Sequence, residues 1–184
     1  DLIMDTKDII KKIAKVHEAT PDEISAVIKN SENDGFLFEC ADKVRREAYG
    51  TDVYIRGLIE FTNYCKNNCF YCGIRRDNRN IKRYRLSIDE IMECCEEGYK
   101  LGFRTFVLQG GEDAGFTDDK LCNMISGIKK RYSDCAVTLS MGERTEESYK
   151  RLYDSGADRY LLRHETASKE HYGMLHPPEM SFER

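Results

Sequence analysis

From Thr6 to Gly50 the apolar residues return at helical spacing. Ile9, Ile10, Ile13 and Val16 form one stripe, which predicts a helix over residues 6–17. Thr20-Pro21-Asp22-Glu23 is a capping box with proline at the first helical position, and the helix it opens runs to about Lys29. A third helix, over 34–49, stops at Gly50, a residue suited to the left-handed end of a helix.

Beyond Val53 the period changes. Strands are expected over Val53–Phe61, Thr105–Gln109, Ala136–Ser140 and Arg159–Arg163. Between them Ser87 and Glu90 cap a helix that reaches Leu101 and ends at Gly102. A second helix covers 118–132, and a third is capped by Thr145, reaches Asp154 and ends at Gly156. A last one over 168–175 is broken by Pro177-Pro178. Strands alternating with helices imply a parallel sheet with right-handed crossovers. Four such units in about 110 residues correspond to half of a (β/α)₈ barrel of roughly 250 residues, and a complete doubly wound sheet is the alternative. The chain is therefore expected to be a helical leader, 1–50, followed by an α/β core, 51–184. It starts at Asp1 without an initiator methionine and stops at Arg184 with no closing element, so both ends are expected to be cut.

Composition removes several classes. A net charge of −4 gives no overall pull toward nucleic acid. No apolar run approaches the roughly 18 residues of a membrane helix, and no signal peptide is visible. Eight cysteines are too few for a disulfide scaffold of this length. They are expected to be free or metal-bound thiols in a reducing cytoplasm.

Three of them, Cys65, Cys69 and Cys72, fall in the loop after the first strand as C-x-x-x-C-x-x-C, with Tyr71 before the last. A closed zinc site takes four protein ligands, and an electron-transfer iron–sulfur cluster usually takes four cysteines. Three on a cubane leave one iron open to a substrate or cofactor. Strand alternation adds a second signal. Arg56, Leu58 and Glu60 share a face, as do Thr105, Val107 and Gln109, then Thr138 and Ser140, then Leu161, Arg163 and Glu165. These polar groups are expected to line one site at the strand ends. Gly110-Gly111 after the second strand allows close backbone approach, and Glu112 can accept from an ammonium. Arg163 and Glu165 offer both charges that an amino acid requires.

C-x-x-x-C-x-aromatic-C followed by Gly-Gly-Glu resembles the radical S-adenosylmethionine (SAM) superfamily. The resemblance implies a (β/α)₈ barrel whose three cysteines bind a [4Fe–4S] cluster. The fourth iron then chelates the amino and carboxylate groups of SAM. An electron from the cluster cleaves SAM to methionine and a 5′-deoxyadenosyl radical, which abstracts a hydrogen atom. Longer stretches, CGIRRDN from Cys72 and RYLLRHET from Arg159, are similar to the HydE family of [FeFe]-hydrogenase maturases. Biotin synthase and methylornithine synthase are near relatives.

Carried over residue by residue, the resemblance makes Cys65, Cys69 and Cys72 the cluster ligands. Tyr71, Gly111, Glu112, Ser140, Glu165 and Arg184 become SAM contacts, and Arg56, Thr138 and Arg163 face a small substrate. It implies a cysteine-bound iron carbonyl cyanide species as that substrate. It also implies a ferredoxin or flavodoxin as electron donor and the other hydrogenase maturases as partners. A second iron–sulfur site found in some HydE proteins would lie outside this chain. The rivals are a methylornithine- or biotin-synthase-like enzyme, a non-catalytic iron–sulfur electron carrier and a structural zinc module.

Three further features carry alternatives. The basic run Arg75, Arg76, Arg79, Lys82, Arg83 and Arg85 reads as a solvated loop, as compensation for an anionic cluster, or as a dock for an anionic partner. Cys94-Cys95 is expected to pack on a helix face. His17, His164, His171 and His176 show no metal-ligand pairing.

Overall fold

The computed structural model describes residues 5–183. They divide into two compact units, one through Tyr54 and one from Ile55.

The first unit is helical. Helix α1 (Thr6–Val16) starts where the Asp5 carboxylate accepts from the Lys7 N–H. Helix α2 (Pro21–Lys29) has both halves of the capping box, with Thr20 and Glu23 each bonding the other's backbone N–H. One 3₁₀ turn, Ser31–Asn33, leads into α3 (Asp34–Tyr49). Ile9 and Ile10 are buried, the Lys12 ammonium is 2.7 Å from Glu23, and Asn30 donates to the Thr6 hydroxyl at 3.1 Å.

The second unit runs β1 (Gly57–Thr62), α4 (Ile88–Lys100), β2 (Thr105–Gly110), α5 (Asp118–Arg131), β3 (Ala136–Ser140), α6 (Glu146–Asp154), β4 (Arg159–Tyr160) and α7 (Lys169–Leu175). The strands are parallel and adjacent in chain order. Register places Ile59, Leu108 and Leu139 in one row, and Glu60, Gln109 and Ser140 in the next. Because side chains alternate, these rows point to opposite faces. The apolar face is closed by α4, α5 and α6. Phe61, Phe106, Leu108, Val137 and Leu139 pack there with Ile91, Leu121, Met124, Ile125, Ile128 and Leu152. Cys95 lies in this core while Cys94 is exposed, and Cys135 is buried as well.

Two strands are shorter than the pattern predicts. β1 begins at Gly57 rather than Val53, and Val53, Tyr54 and Ile55 are exposed. Gly57 pairs with Phe106 and β2 begins at Thr105, so the residues before Arg56 have no ladder to join. β4 is two residues long because β3 ends at Ser140. One further backbone bond, Leu161 N–H to Leu139 C=O at 2.8 Å, continues the ladder.

Leu108 is fully buried in the second strand. Leu108→Ala should lower unfolding stability by about 2–5 kcal/mol, read as a lower urea midpoint at unchanged slope. A loss under about 1 kcal/mol would show that this face is not the core.

Candidate functional site

The cysteine loop begins two residues after β1 and is tied at both ends. Past it the chain turns back along β1 in an extended stretch. Thr62 bridges antiparallel to Arg85, Leu86 N–H bonds Phe61 C=O at 2.8 Å, and Asn63 side-chain atoms bond Lys82 C=O and Tyr84 N–H at 2.8 Å each. Within the loop, Cys72 N–H bonds Cys69 C=O at 3.1 Å, and Arg76 N–H bonds Asn67 C=O at 2.8 Å. All three cysteines are free thiols, half-buried.

The loop after β2 lies directly against it. A side chain at position 111 would have its Cβ 2.2 Å from the Tyr64 carbonyl oxygen and 2.6 Å from Cys65 Cβ, so only glycine fits. Lys66 N–H donates to the Glu112 C=O at 3.0 Å. The Glu112 carboxylate receives Lys66 Nζ at 2.9 Å, Asn67 Nδ2 at 2.8 Å and the Glu143 N–H at 3.3 Å. Glu112 thus brackets the cysteine loop to the turn after β3. Gly142, at φ +80°, supplies the space, since a Cβ there would be 2.1 Å from Glu112 Cγ.

Asp113 is the second tie. Its side chain is 3 % exposed and accepts from Arg85 Nε at 2.6 Å and Nη2 at 2.8 Å. Thr62 Oγ1 donates to it at 2.7 Å, and the Gly115 N–H at 2.9 Å. The same guanidinium carbon lies 3.7 Å from the Tyr64 ring centroid. Burial alone would raise the Asp113 carboxyl, but the bonds from Arg85, Gly115 and Thr62 outweigh it and hold it below its ordinary value of 3.8.

On the other side the loop meets the segment after α7. Phe70 N–H donates to Leu175 C=O at 2.9 Å, Cys69 Sγ is 4.0 Å from Met180 Sδ, and Tyr71 Oη is 3.4 Å from His176 Nε2. His176 is buried, stacks on Tyr172 and has Nδ1 3.0 Å from the Tyr172 carbonyl. A carbonyl only accepts, so Nδ1 carries a proton directed at it. Burial raises the Tyr71 hydroxyl, reinforced by negative charge from Cys69 and Glu165, and burial likewise raises the Cys69 thiol. Binding a metal there must displace that proton.

The structure therefore brings Cys65, Cys69, Cys72, Tyr71, Gly111, Glu112 and Glu165 into one neighbourhood at the C-terminal ends of the strands. Among the described residues Glu165 is one of two non-glycine residues with positive φ (51°), a conformation that costs free energy and is found at functional sites. Ser140 and Thr138 are buried on the sheet face opposite the core, and Thr138 Oγ1 has no hydrogen-bond partner. Arg163 follows β4, is exposed, and makes no side-chain hydrogen bond or ion pair among the described residues. Arg56 is also exposed, but it precedes β1, at the end of the sheet away from the cysteines. Arg184 lies outside the described residues. Sequence reasoning missed Asp113, His176 and the inward turn of Arg83 and Arg85. Only the last pair left a signal, alternation within an extended stretch.

Among the described residues no three His, Cys, Asp or Glu side chains stand close enough to grip a single metal ion. The donor set, three half-buried thiols on one loop, suits iron and sulfide.

The folded Asp113 carboxyl binds its proton less readily than the unfolded one, so its contribution to stability is present above pH 3.8 and is lost as pH falls below that value. Asp113→Asn should be less stable than wild type at pH 6, with the gap in urea midpoint narrowing toward pH 3. A gap that stays constant with pH would mean that the ion pair adds no stability.

Comparison with known proteins agrees with this geometry. The profile of the Radical SAM superfamily matches residues 59–184. The chain is 42% identical over 183 residues to the [FeFe] hydrogenase maturase subunit HydE of Thermotoga maritima, covering 98% of this chain and 51% of that protein. The crystal structure of HydG, a maturase of the [FeFe]-hydrogenase, superposes with a TM-score of 0.80 at 29% identity, covering 94% of this chain and 40% of that one. That of methylornithine synthase (PylB) gives 0.78 at 26% identity, covering 95% and 52%. The chain spans about half the length of the curated relatives it matches first. The four strands and their helices form part of a (β/α)₈ barrel, and the chain belongs to the radical SAM superfamily.

Proposed function

We propose that the chain is part of a radical SAM enzyme of HydE type, acting in maturation of the [FeFe]-hydrogenase H-cluster. The observation that carries this reading is the cysteine trio, held half-buried on a loop whose ends are pinned and whose flank lies against Gly111. Identity of 42% across 98% of the chain to the Thermotoga maritima HydE supports the branch.

In this reading Cys65, Cys69 and Cys72 hold a [4Fe–4S] cluster. Bound together, the cluster and SAM supply reductive cleavage to methionine and a 5′-deoxyadenosyl radical. The chain's own residues position and shield. The backbone at Gly111, the aromatic Tyr71, and Glu112, Ser140, Glu165 and Arg184 form the SAM side. Glu112 keeps the strand loops in place around it through Lys66, Asn67 and the Glu143 N–H. Thr138 and Arg163 face the substrate, whereas Arg56, before β1 and at the far end of the sheet, falls outside the site. The unpaired Thr138 hydroxyl, buried on the polar face, is a group that gains by meeting a ligand. The substrate is a small cysteine-bound iron complex. The electron donor is a ferredoxin or flavodoxin, the partners are other hydrogenase maturases, and the setting is the cytoplasm. Residues 1–50 serve as a helical leader to the core at 51–184. No helix of the described residues is long and apolar enough to cross a membrane.

A methylornithine-synthase-like activity is the second reading, supported by 29% identity over 94% of the chain to the 3-methylornithine synthase of Methanosarcina acetivorans.

The test uses the full-length protein, reconstituted anaerobically with iron and sulfide, reduced and given SAM. Formation of 5′-deoxyadenosine that disappears in Cys69→Ala is the expected result, with rescue of hydrogenase maturation deciding the branch. A visible cluster with neither SAM cleavage nor a spectral change on adding SAM would instead indicate an electron carrier.

A further inference from the structure

Arg83 does not behave as a solvated loop cation. Its guanidinium is turned into the cysteine loop, where five backbone carbonyls converge on it. Nη1 donates to the Asn63 C=O and to the Ile74 C=O at 2.9 Å. Nη2 donates to the Arg75 C=O at 2.6 Å, with the Asn78 and Arg76 carbonyls sharing it at 3.3 and 3.4 Å. One of these carbonyls comes two residues before Cys65. The other four follow Cys72 by two to six residues. Carbonyls gathered inward without a donor would be unfavourable, because they lose water and gain nothing. One side chain therefore both permits this backbone path and links the two ends of the loop that carries the thiols.

From this we infer that Arg83 is the positioning residue of the cysteine loop, fixing the separation of Cys65 and Cys72 before any metal is bound. The inference rests on the reading that these cysteines hold a cluster. The work requires a planar fork with donors in two directions, which guanidinium has and ammonium lacks. Lysine keeps the charge and loses the fork, so it separates positioning from simple compensation of an anionic centre. Residues that orient metal ligands without touching the metal typically contribute about 10–100-fold in affinity.

The experiment compares Arg83→Lys and Arg83→Gln with wild type in the full-length protein. Amide exchange is followed in the metal-free form, and release of iron to a chelator after reconstitution. In both variants exchange across residues 63–78 should rise about tenfold or more while β2 and β3 keep their protection, and iron should leave about 10–100-fold faster. Arg83→Lys matching wild type in both readouts would overturn the inference in favour of charge alone. Loss of protection throughout the sheet would overturn it in favour of a general folding role. Should wild type itself retain no iron, the proposed function fails, and the exchange measurement on metal-free protein still decides what Arg83 does.

Discussion

The site depends on one ion pair whose carboxylate is buried and whose guanidinium is partly in water. Asp113 sits at the end of the β2 loop, almost wholly out of water, and Arg85 reaches it with two nitrogens. A carboxylate in that position is costly unless it is paired and fully hydrogen-bonded. Arg85, Thr62 and the Gly115 N–H meet that requirement. Each donor comes from a different piece of the site: the returning stretch after the cysteine loop, the end of β1, and the start of the path to α5. Satisfying one charge therefore brings three segments to a common point, and Tyr64, next to Cys65, is held under the same guanidinium.

Around that point the other contacts become intelligible. Gly111 can lie against Tyr64 and Cys65 because the Asp113 tie draws the β2 loop inward, and glycine is the only residue that fits the gap. Glu112 then faces Lys66, Asn67 and the turn at Gly142–Glu143, which carries the link on to β3. The cysteine loop is thus held by protein contacts on three sides: the β2 loop, the returning stretch with Arg83, and the segment around His176. This is the preorganisation that a ligand-binding loop needs if its thiols are to meet a metal in fixed geometry.

Much of the frame is legible in the residues themselves. The capping pairs Thr20–Glu23 and Ser87–Glu90 are local, and local hydrogen bonds leave a sequence signature, so those helix starts are where the pattern places them. The strand cores are legible for the same reason, since alternation follows directly from the pleat. Strand ends are not. β1 stops short of Val53 and β4 lasts two residues because pairing depends on where the neighbouring strand begins and ends. In the site, the three cysteines and Gly111 follow from spacing. Asp113 and His176 act through partners 28 and 105 residues away, and no spacing rule reports such contacts. The basic run misleads in a different way. Composition cannot distinguish an arginine facing water from one bonded to backbone carbonyls or a carboxylate, and only the alternation of Arg83 and Arg85 along an extended stretch sets them apart from Arg79.

A double-mutant cycle between Arg85 and Asp113 tests the account most directly, using Arg85→Met, Asp113→Asn and the pair together in the full-length protein. The free energy of local opening of residues 64–72, from amide exchange, is the quantity to follow. If the ion pair is the clasp, each single change loosens the loop and the double change is no worse than the more harmful single. The coupling energy is then about 0.5–3 kcal/mol. Simple additivity, or a loop that keeps its protection in both single variants, would contradict the claim that this pair holds the site together.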